Sequence, residues 1–280
     1  MIEIRAKDSD SVLLRVPADD LAGASLAGLA LSGADLTEAD LRGVDLRGTD
    51  LSKSRMVGAD LRGAHLEGTD FTSADLTDAD LTGAHLTDAR FLAATLLRTR
   101  LSRADALRAS FEFATLRDCE SESASFVRSD FSHATVVGCD FSGADLSAAT
   151  LSHSTWRQCN LAHATLAMAV LDGTCLAETD LSHAELSRAF LAAPILAGAD
   201  LTGATLGRTV LAACDDLARA RGLDAVVHHG HSCLDLATLR AGLDTLPEGF
   251  LQGAGVERGE LEALRHATAG AGAGAGAGAH

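Results

Sequence analysis

From Leu21 to Leu211 an apolar residue recurs at every fifth position without a slip in register. The run begins Leu21, Leu26, Leu31, Leu36, Leu41, Leu46, Leu51, Met56, Leu61, Leu66, Phe71 and ends at Leu206 and Leu211. Of thirty-nine such centres only Ala106 and Ser121 are not large and apolar. Two residues before each centre stands a small side chain, as at Ala34, Ala39, Thr49, Ser54, Ala59 and Ala64. Asp19, Leu29, Val44 and Pro194 are the departures. The residue immediately before the centre is very often Asp.

A period of five fits neither the 3.6 of a helix nor the 2 of a strand. It fits a coil with four short sides, each one pentapeptide long. Every side buries its centre and the small residue two before it, and the other three residues face outward. Twenty residues then close one turn, and turns stack through parallel-ladder hydrogen bonds at about 4.8 Å. One buried Leu contributes roughly 1.5–3 kcal/mol, whereas ordering five residues costs roughly 5–10 kcal/mol. A lone pentapeptide therefore does not fold, and stability comes from stacked neighbours.

The motif Ala-Asp-Leu-x-x, as in Ala34-Asp35-Leu36-Thr37-Glu38 and Ala144-Asp145-Leu146-Ser147-Ala148, resembles the pentapeptide-repeat family over about two-thirds of the chain. The resemblance implies an all-β solenoid, a right-handed quadrilateral parallel β-helix; the number of centres gives about ten coils, and the residues after 213 read as a small helical C-terminal module. Several members of that family mimic DNA and bind DNA gyrase, protecting it from topoisomerase poisons. By that likeness the partner is a type II topoisomerase, and the outcome is topoisomerase modulation and antibiotic resistance.

Residues twenty apart fall above one another, which turns the sequence into columns. Inside, Phe71, Phe91, Phe111 and Phe131 form a ladder, with Phe126 and Phe141 filling the volume left by Ala106 and Ser121. Outside, one column reads Asp20, Asp40, Asp60, Asp80, Arg100, Glu120, Asp140, Asn160, Asp180, Asp200. Its carboxylates are the candidate acidic binding face; alternatively, Asp before Leu shapes the turn. A single column places a charge every ~4.8 Å, against one per ~1.7 Å along duplex DNA. Asp45, Asp105, Asp145 and Glu185 on a second face, and Asp50, Asp70 and Asp130 on a third, raise the density. The basic cluster Arg90, Arg98, Arg100, Arg103 and Arg108 is expected to pair with Asp80, Asp88 and Glu120. Val170, Phe190 and Val210 make an outward apolar column, with Cys175 and Ile195 on the next face. Such a patch marks an interface, covered either by the C-terminal segment, the favoured reading, or by a second subunit in a homodimer.

Composition narrows the function. The 280 residues carry a net charge of −16, which argues against direct binding of nucleic acid and suits a basic protein partner. No signal peptide or membrane-length apolar run is visible, so the expected location is cytoplasmic, with the six cysteines reduced. Cys119, Cys139 and Cys159 stack inward in a line too long for one metal ion, so no metal or other cofactor is expected. Three histidine pairs twenty apart (His65 with His85, His133 with His153, His163 with His183) are expected on the surface. No nucleophile and base share a workable spacing, so the chain is not expected to be an enzyme.

The ends break the pattern. The expected organisation is a β cap over 1–18, the repeat coil over 19–213, a helical module over 214–268 and a disordered Gly-Ala tail over 269–280. Short helices are expected near Asp215–Ala220, Asp235–Leu243, from Pro247, and over Glu257–His266. The stretch Gly222-Leu223-Asp224, His228-His229-Gly230-His231-Ser232, Thr238-Leu239 and Leu246 to Val256 resembles the linker between pentapeptide repeats and a TIR-type signalling domain. His231 stands where Pro is usual and Gln252 where Arg is usual. That likeness implies a second function, an interaction scaffold or sensor working with a separate signalling effector.

Overall fold

The computed structural model describes residues 1–9 and 11–274. The repeat closes into the expected four-sided β-solenoid. Residues of one column pair in parallel across successive coils: Asp40 with Asp60, Asp60 with Asp80, Asp80 with Arg100, and onward to Asp180 with Asp200. Each pentapeptide spends its backbone groups in a fixed way. Around Leu41, Leu41 N–H donates to Asp60 O at 2.8 Å, Gly43 N–H to Arg62 O at 3.0 Å, and Asp60 N–H back to Ala39 O at 3.0 Å. Val44 N–H closes the corner onto Leu41 O at 3.1 Å. The third residue of that four-residue turn has φ near +60°, as at Gly43 (60°), Arg103 (60°) and His133 (60°), in the left-handed region that a type II turn also requires at this place.

The interior follows from volume. Leu41, Leu61, Leu81 and Leu101 are fully buried, as are small residues two before them such as Ala59 and Ala79. Where Thr takes the small slot its hydroxyl donates to an inner carbonyl: Thr49 to Leu26 O at 2.8 Å, Thr99 to Leu76 O at 2.9 Å. The phenylalanine ladder stands as expected. Phe71–Phe91, Phe91–Phe111 and Phe111–Phe131 stack at 4.9, 4.7 and 4.7 Å between ring centroids. Phe126 meets Phe111 and Phe131 edge-on, and Trp156 closes the cluster against Phe131 and Phe141.

The named strands are β1 (Ile2–Ala6), β2 (Val12–Val16), β3 (Ala34–Asp35), β4 (Thr95–Leu97), β5 (Thr115–Arg117), β6 (Thr135–Val137), β7 (Thr155–Arg157), β8 (Phe190–Ala192), β9 (Thr205–Leu206), β10 (Val210–Ala212), β11 (Val227–His228) and β12 (Cys233–Leu234). β1 and β2 form the antiparallel N-terminal hairpin, and β1 also pairs with β3, covering the first coil. β4 to β7 make one parallel four-stranded face.

The coil does not stop at 213. Arg221 pairs with Asp200, twenty-one residues back; β11 pairs with β9 at twenty-two; β12 pairs with β10 at twenty-three. The expected helical module therefore begins with most of another coil, which the five-residue frame hides because it gains a residue at successive sides. Three helices follow: α1 (Leu236–Gly242), α2 (Glu248–Gly253) and α3 (Arg258–Gly274). Asp235 caps α1, accepting from Thr238 N–H at 2.8 Å, and Pro247 stands before α2. Phe250 and Leu217 lie with Leu206 and Leu211 at the end of the interior. α3 takes in the first residues of the Gly-Ala alternation, in keeping with the high helix propensity of Ala; 275–280 lie outside the described residues.

Candidate functional site

The acidic column lies where the spacing puts it, but its carboxylates are engaged. From Asp35 onward, each Asp before a centre accepts from the N–H two residues on, an Asx turn, whereas Asp20 at the first coil shows no such bond among the described residues. Asp80 holds Thr82 N–H at 3.0 Å, Asp140 holds Ser142 at 2.8 Å, Asp180 holds Ser182 at 2.8 Å, and Asp200 holds Thr202 at 2.9 Å. Asn160, the one amide in the column, does the same for Ala162 at 3.0 Å. The residue type is therefore set by the turn as much as by charge.

The first half of the column is also neutralised. In a strand, residues i and i+2 share a face, so the residue after the buried centre stands beside the Asp before it. Arg42 bonds Asp40 at 2.6 Å and reaches Asp60 at 3.8 Å; Arg62 bonds Asp60 at 2.5 Å and reaches Asp80 at 3.9 Å. Arg100 then lies between Asp80 and Glu120 at 3.4 and 3.5 Å. The Arg42 guanidinium holds the Asp40 carboxyl down to about 2, and Arg62 lowers that of Asp60. From Asp40 to Glu120 the column, already broken by Arg100, is an alternating zipper of carboxylates and guanidiniums. Arg42 and Arg62 stand one residue after the centres Leu41 and Leu61, outside the column that carries the aspartates. Further along, Asp140, Asp145, Asp180 and Glu185 have no cationic side chain within 4 Å among the described residues.

Of the basic cluster, Arg98 pairs with Asp78 and Arg108 with Asp88, both at 2.7 Å, whereas Arg90 and Arg103 have no carboxylate within 4 Å among the described residues. Asp78 was not foreseen as a partner. The histidine pairs are stacked on the surface at 5.1, 5.4 and 4.9 Å, and exposed Phe113 extends the second of them against His133 at 4.9 Å. The buried cysteines repeat what Thr does in the same slot: Cys119 Sγ donates to Leu96 O at 3.0 Å, as Thr99 does one coil earlier. Contact with Cys139 and burial push the Cys119 thiol up. Among the described residues no group of three or more His, Cys, Asp or Glu is placed to hold a metal ion.

The apolar column corrects one expectation. Phe190 and Ile195 remain 40% and 49% exposed, so the described part of the C-terminal segment does not cover them. It closes the end of the solenoid instead. There α2 rests on the last coil through His228, whose ring meets Phe250 edge-on at 5.3 Å and has neither nitrogen hydrogen-bonded. Burial lowers the pKa of this imidazole. Gly253 is required at that contact, since a Cβ would overlap the His228 ring, and one at Gly255 would come within 2.7 Å of His231. Between β12 and the last helices runs a groove of about 570 Å³, lined by Leu234, Leu239, Val256 and Leu264 among others. No described helix is long and apolar enough to cross a membrane.

Comparison with known proteins places this architecture. No curated protein matches the sequence. Among solved structures, HetL, a pentapeptide repeat protein involved in heterocyst differentiation regulation from the cyanobacterium Nostoc, is 30% identical with a TM-score of 0.60. The match covers 75% of this chain and 91% of that one. A trypsin-treated form of QnrB1, a plasmid-mediated fluoroquinolone resistance protein, matches at 19% identity and a TM-score of 0.39, over 79% of this chain and 90% of that one. That likeness is too weak to bear on function. The profile described as "Pentapeptide repeats (8 copies)" matches residues 20–52 and 54–91, and that described as "Pentapeptide repeat region" matches 109–186. With more than half of its length so matched, the chain belongs to the pentapeptide-repeat family.

Proposed function

We propose that the protein works by binding another protein along the outside of its coil and catalyses no reaction. The observation that carries this is the division of labour in cross-section. The interior is filled by Leu, Phe and Ala to full burial, so it offers no chamber for a substrate. Polar and charged side chains stand outside in columns at ladder spacing, a rigid array suited to a long partner surface. The Nostoc relative, described as involved in regulating heterocyst differentiation, is compatible with a regulatory binding role.

The partner is a basic protein surface, and the uncompensated carboxylates Asp140, Asp145, Asp180 and Glu185 are its contact. Binding to a type II topoisomerase such as DNA gyrase is the narrower form of this reading. The arginine zipper removes the Asp40-to-Glu120 stretch of this column from any DNA-like array, which leaves Asp140 and Asp180 as its open carboxylates beyond that stretch. The test is a supercoiling assay with purified gyrase, with and without a quinolone, using wild type and the Asp140→Asn/Asp180→Asn variant. Inhibition or protection that the variant loses supports the topoisomerase form. If wild type neither inhibits nor protects, that form is wrong. The broader reading is then tested by cross-linking mass spectrometry in the native host: cross-links clustered on the later coils support it, and their absence from those coils overturns it. The scaffold form, with a separate signalling effector, rests on the C-terminal segment; it predicts cross-links centred on 228–256.

A further inference from the structure

The face built by β8, β10 and β12 carries a surface with a built-in direction. On each of its strands the residue before the buried centre and the residue after it point outward on either side of the midline. On one side stand the larger side chains Phe190 and Val210; on the other stand Ala192 and Ala212. Charge is divided the same way. The corner beside Phe190 and Val210 bears Arg188 and Arg208, both exposed and without a carboxylate within 4 Å among the described residues. The opposite flank bears Asp215, exposed and likewise without a cationic partner. Its neighbour Asp216 is spent on Leu196 N–H at 3.0 Å. Phe190 is 40% exposed and nothing among the described residues covers it.

We propose that this face is the contact between two copies of the chain, lying side by side and parallel, with the two-fold axis running along the coils. The axis follows from both asymmetries. A two-fold axis parallel to the coil exchanges left and right at constant height. Phe190 of one copy then meets the Ala192 side of the other, large against small, and Arg208 meets the Asp215 flank. A two-fold axis lying in the face across the coils keeps left on left. It sets Phe190 against the bulky column of the second copy and its arginines against arginines. A self-complementary patch of this kind closes as a dimer and does not propagate. Three strands at about 4.8 Å spacing make a contact smaller than the ~800 Å² per partner of a standard interface. The expected dissociation constant is therefore on the order of 10–100 µM. This inference is independent of the partner-binding reading, because it uses another face.

The experiment is sedimentation equilibrium of the full chain from about 5 to 500 µM. The weight-average mass should rise from 28.8 kDa toward twice that value. Ala192→Arg should hold the protein monomeric throughout, with an unchanged circular dichroism spectrum. Arg208→Glu and Asp215→Arg should each weaken association at least fivefold, and the double exchange should restore it. A monomer at every concentration, or a dimer indifferent to Ala192→Arg, overturns the proposal. A dimer lost in Arg208→Glu and not recovered in the double exchange overturns the axis.

Discussion

Replacing Asp140 separates the two roles that the acidic column could have. The carboxylate accepts from Ser142 N–H at 2.8 Å and faces no cation within 4 Å among the described residues. A hydrogen bond of this kind is worth about 0.5–1.5 kcal/mol net, more when the acceptor is charged and desolvated. Asp140 is only half-buried, so Asp140→Ala should cost about 1 kcal/mol. Asp140→Asn keeps the acceptor oxygen, as Asn160 shows one coil later with Ala162 N–H at 3.0 Å, and should cost no more than a few tenths of a kcal/mol. The assay is urea unfolding followed by tryptophan fluorescence. Trp156 is the one tryptophan in the sequence. It is fully buried and packs 4.8 Å from Phe141, the residue next to the substitution. If Asn costs as much as Ala, charge and not the turn bond sets this position. If neither costs anything, the Asx turn is not stabilising. A partner that reads charge should lose affinity for both variants alike, so stability and binding should part company at Asn.

Phe111→Ala should destabilise by about 3–5 kcal/mol, since a fully buried ring stacked on both sides leaves a cavity. Phe113→Ala, two residues away but 57% exposed, should cost less than about 1 kcal/mol in the same urea titration; equal losses would contradict the assigned orientations. Ala148→Gly should stabilise by about 0.5 kcal/mol, because Ala148 sits at φ 56°. Relief of left-handed strain of about 1–2 kcal/mol outweighs the added freedom of the unfolded chain. A lower urea midpoint would count against this. Acidification should loosen the C-terminal helices. The lowered pKa of His228 means that the unfolded chain binds the proton more readily, so the stability of this contact rises with pH and is lost as pH falls below about 6.5. Hydrogen exchange of α2 at pH 5.5 and 7.5 should show the difference, and His228→Phe should remove it.

The coil was legible because its inward positions are fixed by volume alone. Leu at the centre and Ala or Thr two before it leave little choice, and the Phe ladder and the cysteine line follow by counting twenty. The surface was less legible, because a column sees only one of the residues that share a face. Asp40 and Asp60 read as unopposed until Arg42 and Arg62 are placed beside them. The last coil was hidden by its added residues, and the missing cover over Phe190 depended on where α1 to α3 come to rest. That is decided by contacts such as His228 on Phe250 and Gly253, which no period announces.

The drifting register of that last coil has a consequence for growth. A rod repeating every twenty residues presents at its end a face identical to the layer beneath, as a crystal does, and identical layers invite further deposition. Pairings of twenty-one, twenty-two and twenty-three residues distort the final layer progressively. A first coil from another copy, cut to twenty, is out of step with it by the third side. With the β1–β2 hairpin over the first coil and α2 on the last, this mismatch adds a third obstacle to end-to-end stacking of copies.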